Sequence, residues 1–216
     1  MKPRPQIIAL VGGSGAGKTW LSAGLQKALD LPVTRLSLDD FYRDQCLLTP
    51  SMRDRVNYDN PQAIDWPMAE AVLLGCRAAR TVYVPRYSFV THTRQRTFKM
   101  VAPRSIILVD GLWLLLRPRV RHLFDLSIFL RCPARLRLER RLKRDLADRG
   151  RDGRSVRRQF KDTVAPMHKR YVEPQVKWAD VVLSQPPSQR EVESLAAIIK
   201  NRVQRRMLSP AFPAYP

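Results

Sequence analysis

Short runs of β-branched residues and leucine recur along the chain: IIAL at 7–10, VTRLSL at 33–38, SIILVD at 105–110, LSIFL at 126–130 and DVVL at 180–183. Consecutive apolar positions of this length read as strands buried on both faces, as in a parallel sheet covered by helices. Between the runs the spacing lengthens. Leu21, Leu25 and Leu29 recur four apart, Pro67 opens a helix through Ala69 to Leu74, Pro133 opens another to about Asp148, and a last helix spans Gln189 to Arg206. The stretch TVYVPRYSFVTHTRQRTFKMV alternates aromatic or β-branched with polar residues, which predicts a small antiparallel element beside the main sheet. The pattern is that of one α/β domain over 1–207, with a β insertion at about 77–102, an arginine-rich helical lid at about 133–160, and a loosely ordered proline-rich tail over 208–216.

Composition narrows the picture. At 216 residues the chain holds one substantial core. No apolar run reaches membrane-spanning length, and MKPRPQ leads into the first strand without a secretory apolar region, so a cytoplasmic protein without a membrane partner is expected. Cys46, Cys76 and Cys132 lie far apart and form no metal-ligand pair. The formal charge of +20 attracts any polyanion and does not choose among nucleotide, nucleic acid and acidic membrane. Its arginines concentrate between Arg131 and Arg158 and at Arg202 to Arg206.

Four of the nine glycines fall within LVGGSGAGKTW. Gly12, Gly17, Lys18 and Thr19 satisfy G-x-x-x-x-G-K-[ST], and with Gly13, Ser14, Gly15 and Ala16 between them they predict a phosphate-binding loop. In such a loop backbone N–H groups cradle phosphates, the lysine reaches the β- and γ-phosphates, and the hydroxyl binds Mg²⁺. At the carboxyl end of the second strand stands SLDDFY, where ligands of open α/β sheets bind. Asp39 or Asp40 there reads as acceptor of a substrate hydroxyl proton, or as a helix N-cap. At the end of an extended strand the two carboxylates point to opposite sides, and Asp39, from its place in LSLDDFY, is the one expected at the reaction. On a helix from Pro133, Leu138, Leu142 and Leu146 form an apolar seam that would dock it, leaving Arg137, Arg141 and Arg144 on another face. Those arginines read as a lid over phosphates or as a solvated basic face.

GGSGAGKT, LSLDDFY, NYDNPQAID, VPRYSFVTHTR, IILVDG, RRLKRDLADRGR and ADVVL occur in an order and at spacings that resemble the uridine–cytidine kinase family of P-loop kinases, from about Ile7 to Leu183. The resemblance implies transfer of the γ-phosphate of ATP (or GTP) to the 5′-hydroxyl of uridine or cytidine with Mg²⁺. It further implies Asp39 as catalytic base, and Tyr42, Asp59, Tyr87, Phe89, His92 and Gln159 around the nucleoside, with Asp59 on the ribose hydroxyls. Arg141, Arg144, Arg149 and Arg151 would close over the phosphates, with Arg141 also facing the nucleoside, and Thr19, Asp110 and Asp39 would face the metal. Two positions depart from the family. Asp110 stands where glutamate is usual, one methylene shorter, so that it reaches Mg²⁺ through water; Asn60 stands where histidine often precedes the proline. DNP at 59–61 reads equally as a turn in which Asp59 bonds backbone, and Tyr87, Phe89 and His92 as sheet packing. A second reading is a nucleotide-dependent protein whose basic surface engages nucleic acid, which has no use for the acceptor-side residues. Related kinases of phosphoribulose, nicotinamide riboside or pantothenate share the architecture, and the family suggests a homo-oligomer. No specific nucleic-acid partner is expected.

Overall fold

The computed structural model describes residues 4–184 and 186–208, with the backbone alone at 148, 149 and 206–208. In chain order the strands are β1 Gln6–Gly12, β2 Val33–Ser37, β3 Val82–Val84, β4 Tyr87–Ser88, β5 Thr93–Arg94, β6 Lys99–Val101, β7 Ile106–Gly111, β8 Leu126–Arg131 and β9 Val181–Ser184. Five of them form a sheet in the order β2-β7-β1-β8-β9, and every pairing in it is parallel. β1 lies at its centre and is buried throughout. Its alternate side chains feed two separate cores. Ile7, Ala9 and Val11 pack with Val109, Trp113 and Phe129 on one face, while Ile8 and Leu10 meet Leu21, Leu25, Leu29 and Ile199 on the other. Each fully buried aliphatic side chain contributes about 1.5–3 kcal/mol, so the unbroken apolar runs and the two-sided burial are one fact seen twice.

Helices cover both faces. The first, Lys18–Leu29, starts directly at the end of the glycine loop and packs beside the last, Gln189–Leu208. Trp66–Arg77 has Pro67 in its first turn and Asp65 as N-cap, its carboxylate accepting from the Met68 amide at 3.2 Å. The predicted antiparallel element is present as two small pieces, β3 paired with β6 and β4 with β5. The proline-rich tail lies outside the described residues beyond Leu208.

The arginine helix, Ala134–Arg149, follows β8. Its inward face is not the expected one. Leu138 and Leu142 are half-buried and Leu146 is 52% exposed, whereas Arg137, Arg141 and Asp145 are 3%, 6% and 0% exposed. The helix meets the apolar core at Leu136 but lays its Arg137 and Arg141 face on the glycine loop, so its buried stripe is ionic. After it the chain winds through two wide π-helical turns, Phe160–Val164 and His168–Val172. Such turns shift the register of side chains along a helix and are frequent at functional sites.

Candidate active site

The loop between β1 and the first helix owes its shape to its glycines. Gly15 and Gly17 have φ of 79° and 91°, which side chains resist. A Cβ on Gly15 would stand 2.5 Å from the Arg137 carbonyl oxygen, and one on Gly13 2.7 Å from His168 Nδ1. Backbone therefore lies directly against the arginine helix. Gly17 precedes the first helix without any side-chain cap, leaving the amides of that turn for a ligand. Lys18 Nζ donates to the carbonyls of Gly12 at 2.9 Å and Gly13 at 3.1 Å. Burial pushes its pKa down, opposed by the charges of Asp110 and Asp39. His168 is pushed down to about 4 by burial and by the neighbouring cations Arg137 and Lys18, and so is neutral beside the loop at pH 7.

Two carboxylates meet the loop from β2 and β7, whose ends are in register at Ser37 and Asp110. The Ser37 hydroxyl donates to Asp110 Oδ1 at 3.3 Å and accepts from the Asp39 amide at 3.4 Å. Burial raises Asp110, while Lys18 opposes the shift. The chain does not stay extended here. Leu38–Phe41 is a 3₁₀ turn capped by Ser37, so Asp39 and Asp40 are about a third of a turn apart rather than on opposite sides. Asp39 lines the main cavity and its Oδ1 is buried without a hydrogen-bond partner. Asp40 lies outside it and is raised to about 6 by burial and by the Asp39 charge.

That cavity, of about 560 Å³, opens between Ser14 of the loop, the insertion and the arginine helix. Tyr42, Asp59, Tyr87, Phe89, His92, Arg141, Arg144, Arg151 and Gln159 all line it. On one wall rings pack together: Tyr42 to Tyr87 at 5.1 Å, Tyr87 edge-on to Phe89 at 5.4 Å, and Tyr58 stacked on His92 at 4.2 Å. The Tyr42 hydroxyl donates to the Tyr58 carbonyl at 2.9 Å, and Tyr87 Oη bonds His92 Nδ1 at 3.3 Å. His92 holds φ of 54°, a left-handed backbone that turns its ring back over Tyr58. Burial raises the pKa of Tyr42 and of Tyr87, leaving both phenols neutral.

Asp59 is buried, and its Oδ1 stands 3.9 Å from Arg141 Nη1. Burial raises it, with Arg141 opposing. It is not the turn-former of DNP. Asn57 Oδ1 accepts from the Asp59 amide at 3.0 Å and Asn60 Oδ1 from the Gln62 amide at 2.9 Å, so two asparagines fix the backbone and leave the carboxylate to the cavity. Arg141 donates to Ser14 Oγ at 3.1 Å and to Gln159 Oε1 at 2.9 Å, and Arg151 donates to the same Gln159 oxygen at 2.5 Å. The side chain of Arg149 lies outside the described residues. Tyr58, Asp54, Arg158 and Thr163 also line the cavity and were not singled out from the sequence. Tyr58 carried a signal, an aromatic ring beside Asp59; Thr163 lies within the π-turn Phe160–Val164, which leaves no trace in periodicity.

An uncapped helix start with a half-buried lysine suits polyphosphate. The hydroxyl of Thr19 and the Asp110 carboxylate, beside the unpartnered Asp39 oxygen, are hard oxygen donors of the kind Mg²⁺ takes in small number, keeping water for the rest. Among the described residues there is no cluster of three His, Cys, Asp or Glu that could hold a metal. Fold and site together define a P-loop kinase, a phosphotransferase acting on a hydroxyl acceptor. The sequence signature of the Phosphoribulokinase / Uridine kinase family matches residues 7–191, and the chain belongs to that family. It is 33% identical over 205 residues to a uridine kinase of Alkaliphilus metalliredigens, covering 94% of this chain and 99% of that one. A uridine kinase of Staphylococcus haemolyticus is 37% identical over 178 residues, covering 82% and 86%. In fold it is similar to phosphoribulokinase from Rhodobacter spheroides, with a TM-score of 0.63 at 16% identity over 84% of this chain and 70% of that one.

Proposed function

We propose that the chain transfers the γ-phosphoryl group of ATP to the 5′-hydroxyl of a pyrimidine ribonucleoside, uridine or cytidine, in the cytoplasm. One observation carries the reading: a ring-lined wall, the buried Asp59 carboxylate and the unpartnered Asp39 oxygen share one cavity that opens at Ser14 of the phosphate loop. A flat base needs ring faces, a ribose needs an acceptor for its hydroxyls, and a hydroxyl nucleophile needs a base. The relatives named uridine kinase support the same acceptor.

In this reading the glycine-loop amides and Lys18 would hold the phosphates, and Thr19, Asp110 and Asp39 would hold Mg²⁺, which when bound would supply charge to offset that of the phosphates. Tyr42, Tyr87, Phe89 and His92 enclose the base, and Asp59 accepts from the ribose hydroxyls. Asp39 takes the 5′-hydroxyl proton as the oxygen–phosphorus bond forms and the bond to the leaving β-phosphate oxygen breaks. Arg141, Arg144, Arg149 and Arg151 neutralise charge on the transferred group, guanidinium forks being suited to it. The ribose assignment is tested by comparing uridine with 2′-deoxyuridine in the wild-type protein and in Asp59→Asn. The wild type should prefer the ribonucleoside by about 10-fold or more in kcat/KM, and the variant should lose most of that preference. Equal use of both sugars by the wild type would contradict it.

A further inference from the structure

Among the described residues Asp145 is the one carboxylate on the buried face of the arginine helix, 0% exposed, and it does not line the cavity. Three guanidiniums that do line the cavity converge on it from behind. Arg144 reaches Oδ1 twice, Nε at 2.9 Å and Nη2 at 2.8 Å. Oδ2 is shared between Arg141 Nε at 3.4 Å and Arg151 Nη1 at 3.7 Å. Successive side chains of a helix diverge by about 100°, so the contact from Arg144 to its own neighbour folds that side chain out of its ordinary direction. The backbone repeats the connection: Gly150, at φ of 59°, ends the helix, and the amides of Gly150 and Arg151 both donate to the Asp145 carbonyl. Arg151 is thereby brought back across the helix end to its carboxylate and to Gln159.

We propose that Asp145 is a positioning residue, whose single negative charge sets the Arg141, Arg144 and Arg151 guanidiniums along the phosphate path without itself touching substrate. Three cations within a few ångströms repel one another, and a buried carboxylate is stable only among such partners. Each side supplies what the other lacks. The inference rests on the kinase reading above for the meaning of the phosphate path, but the geometry it invokes belongs to the apo chain.

The test is Asp145→Asn, read three ways. The variant should lower kcat about 10- to 100-fold while nucleoside KM stays within about threefold, because the ring-lined wall is untouched. Arg144→Met, costly in the wild type, should cost less than about threefold in the Asp145→Asn background, since its guanidinium has already lost its direction. By NMR, the Nε–H group of Arg144, bonded to Asp145 Oδ1, should lose its protection from solvent exchange. A kcat within about twofold of wild type, or an undiminished Arg144→Met effect in both backgrounds, or unchanged Nε–H protection, overturns the proposal. If Asp145→Asn does not fold, Asp145→Glu decides, keeping the charge but displacing it by one methylene: kcat at least about threefold down at an unchanged thermal midpoint supports the role, and wild-type kcat overturns it. A wild type that phosphorylates no nucleoside defeats the proposed function instead, and the Nε–H exchange still decides Asp145.

Discussion

At the scale of single residues, function concentrates in groups held at a cost. Burial pushes the Lys18 pKa down while its Nζ is held on the Gly12 and Gly13 carbonyls. Lys18→Ala should leave a folded protein with less than about one-hundredth of wild-type turnover, measured at saturating substrates alongside circular dichroism. Asp39 and Asp40 separate by position. Asp39→Asn should lower kcat by about 10²–10⁴ with little change in nucleoside KM, and Asp40→Asn should have a much smaller effect on kcat; steady-state kinetics of the pair reverse the assignment if Asp40→Asn is the crippled one. Asp40 also makes a pH prediction. A carboxyl raised from 3.8 to about 6 in the fold binds its proton more tightly folded than unfolded, which stabilises the protein at low pH. That stabilisation is lost as pH rises through about 6. Asp40→Asn should therefore melt about 2–5 °C above wild type at pH 8 and together with it near pH 4, in thermal scans across that range. The glycine loop was legible in the sequence because motif spacing fixes it, whereas Asp39 and Asp59 were singled out from their neighbours only by the family resemblance. Tyr58 was not, since a single ring beside a turn looks like packing until His92 stacks on it.

Whole elements were legible where burial is two-sided and obscure where it is ionic. The strand β1 is apolar at nearly every position because β7 and β8 flank it and helices cover both faces. A buried helix would also be apolar throughout, but a run this short, between Pro5 and Gly12, is a strand. The arginine helix misled for the opposite reason: Leu138, Leu142 and Leu146 make a good apolar stripe, yet the buried stripe is Arg137, Arg141 and Asp145. A periodicity argument assumes that the inward face is apolar, and a helix laid on a polar loop breaks that assumption. The 3₁₀ turn after β2 and the π-turns after Gln159 were equally hidden, because each changes register by less than one residue per turn. The contact between loop and helix can be tested directly. Gly15→Ala puts a Cβ 2.5 Å from the Arg137 carbonyl at a φ of 79°, which should destabilise by about 1–3 kcal/mol and lower kcat although Lys18 and Asp39 are intact. Wild-type stability and turnover in that variant would show that the helix does not bear on the loop.

For the whole molecule the open quantity is what the +20 charge serves. Part of it faces the cavity, where Arg141, Arg144, Arg151 and Arg158 are matched by Asp39, Asp54, Asp59 and Asp162, so most of the excess positive charge lies elsewhere. Among the described residues no helix is long and apolar enough to cross a membrane. Nucleic acid should bind weakly, and its affinity should fall by about 10³ or more between 50 and 200 mM salt, as counterion release demands when several phosphates are contacted. Tight, sequence-selective binding at physiological salt, measured by fluorescence anisotropy, would favour a nucleic-acid role instead. The central claim, however, is about the acceptor, and it is met most directly by one incubation. The protein is mixed with Mg·ATP and a panel of uridine, cytidine, purine nucleosides and non-nucleoside alcohols including ribulose 5-phosphate, and the products are identified by mass. The account predicts uridine or cytidine monophosphate, phosphorylated at the 5′ position, formed in step with ADP. Phosphorylation of a non-nucleoside alcohol with none of uridine or cytidine would contradict it.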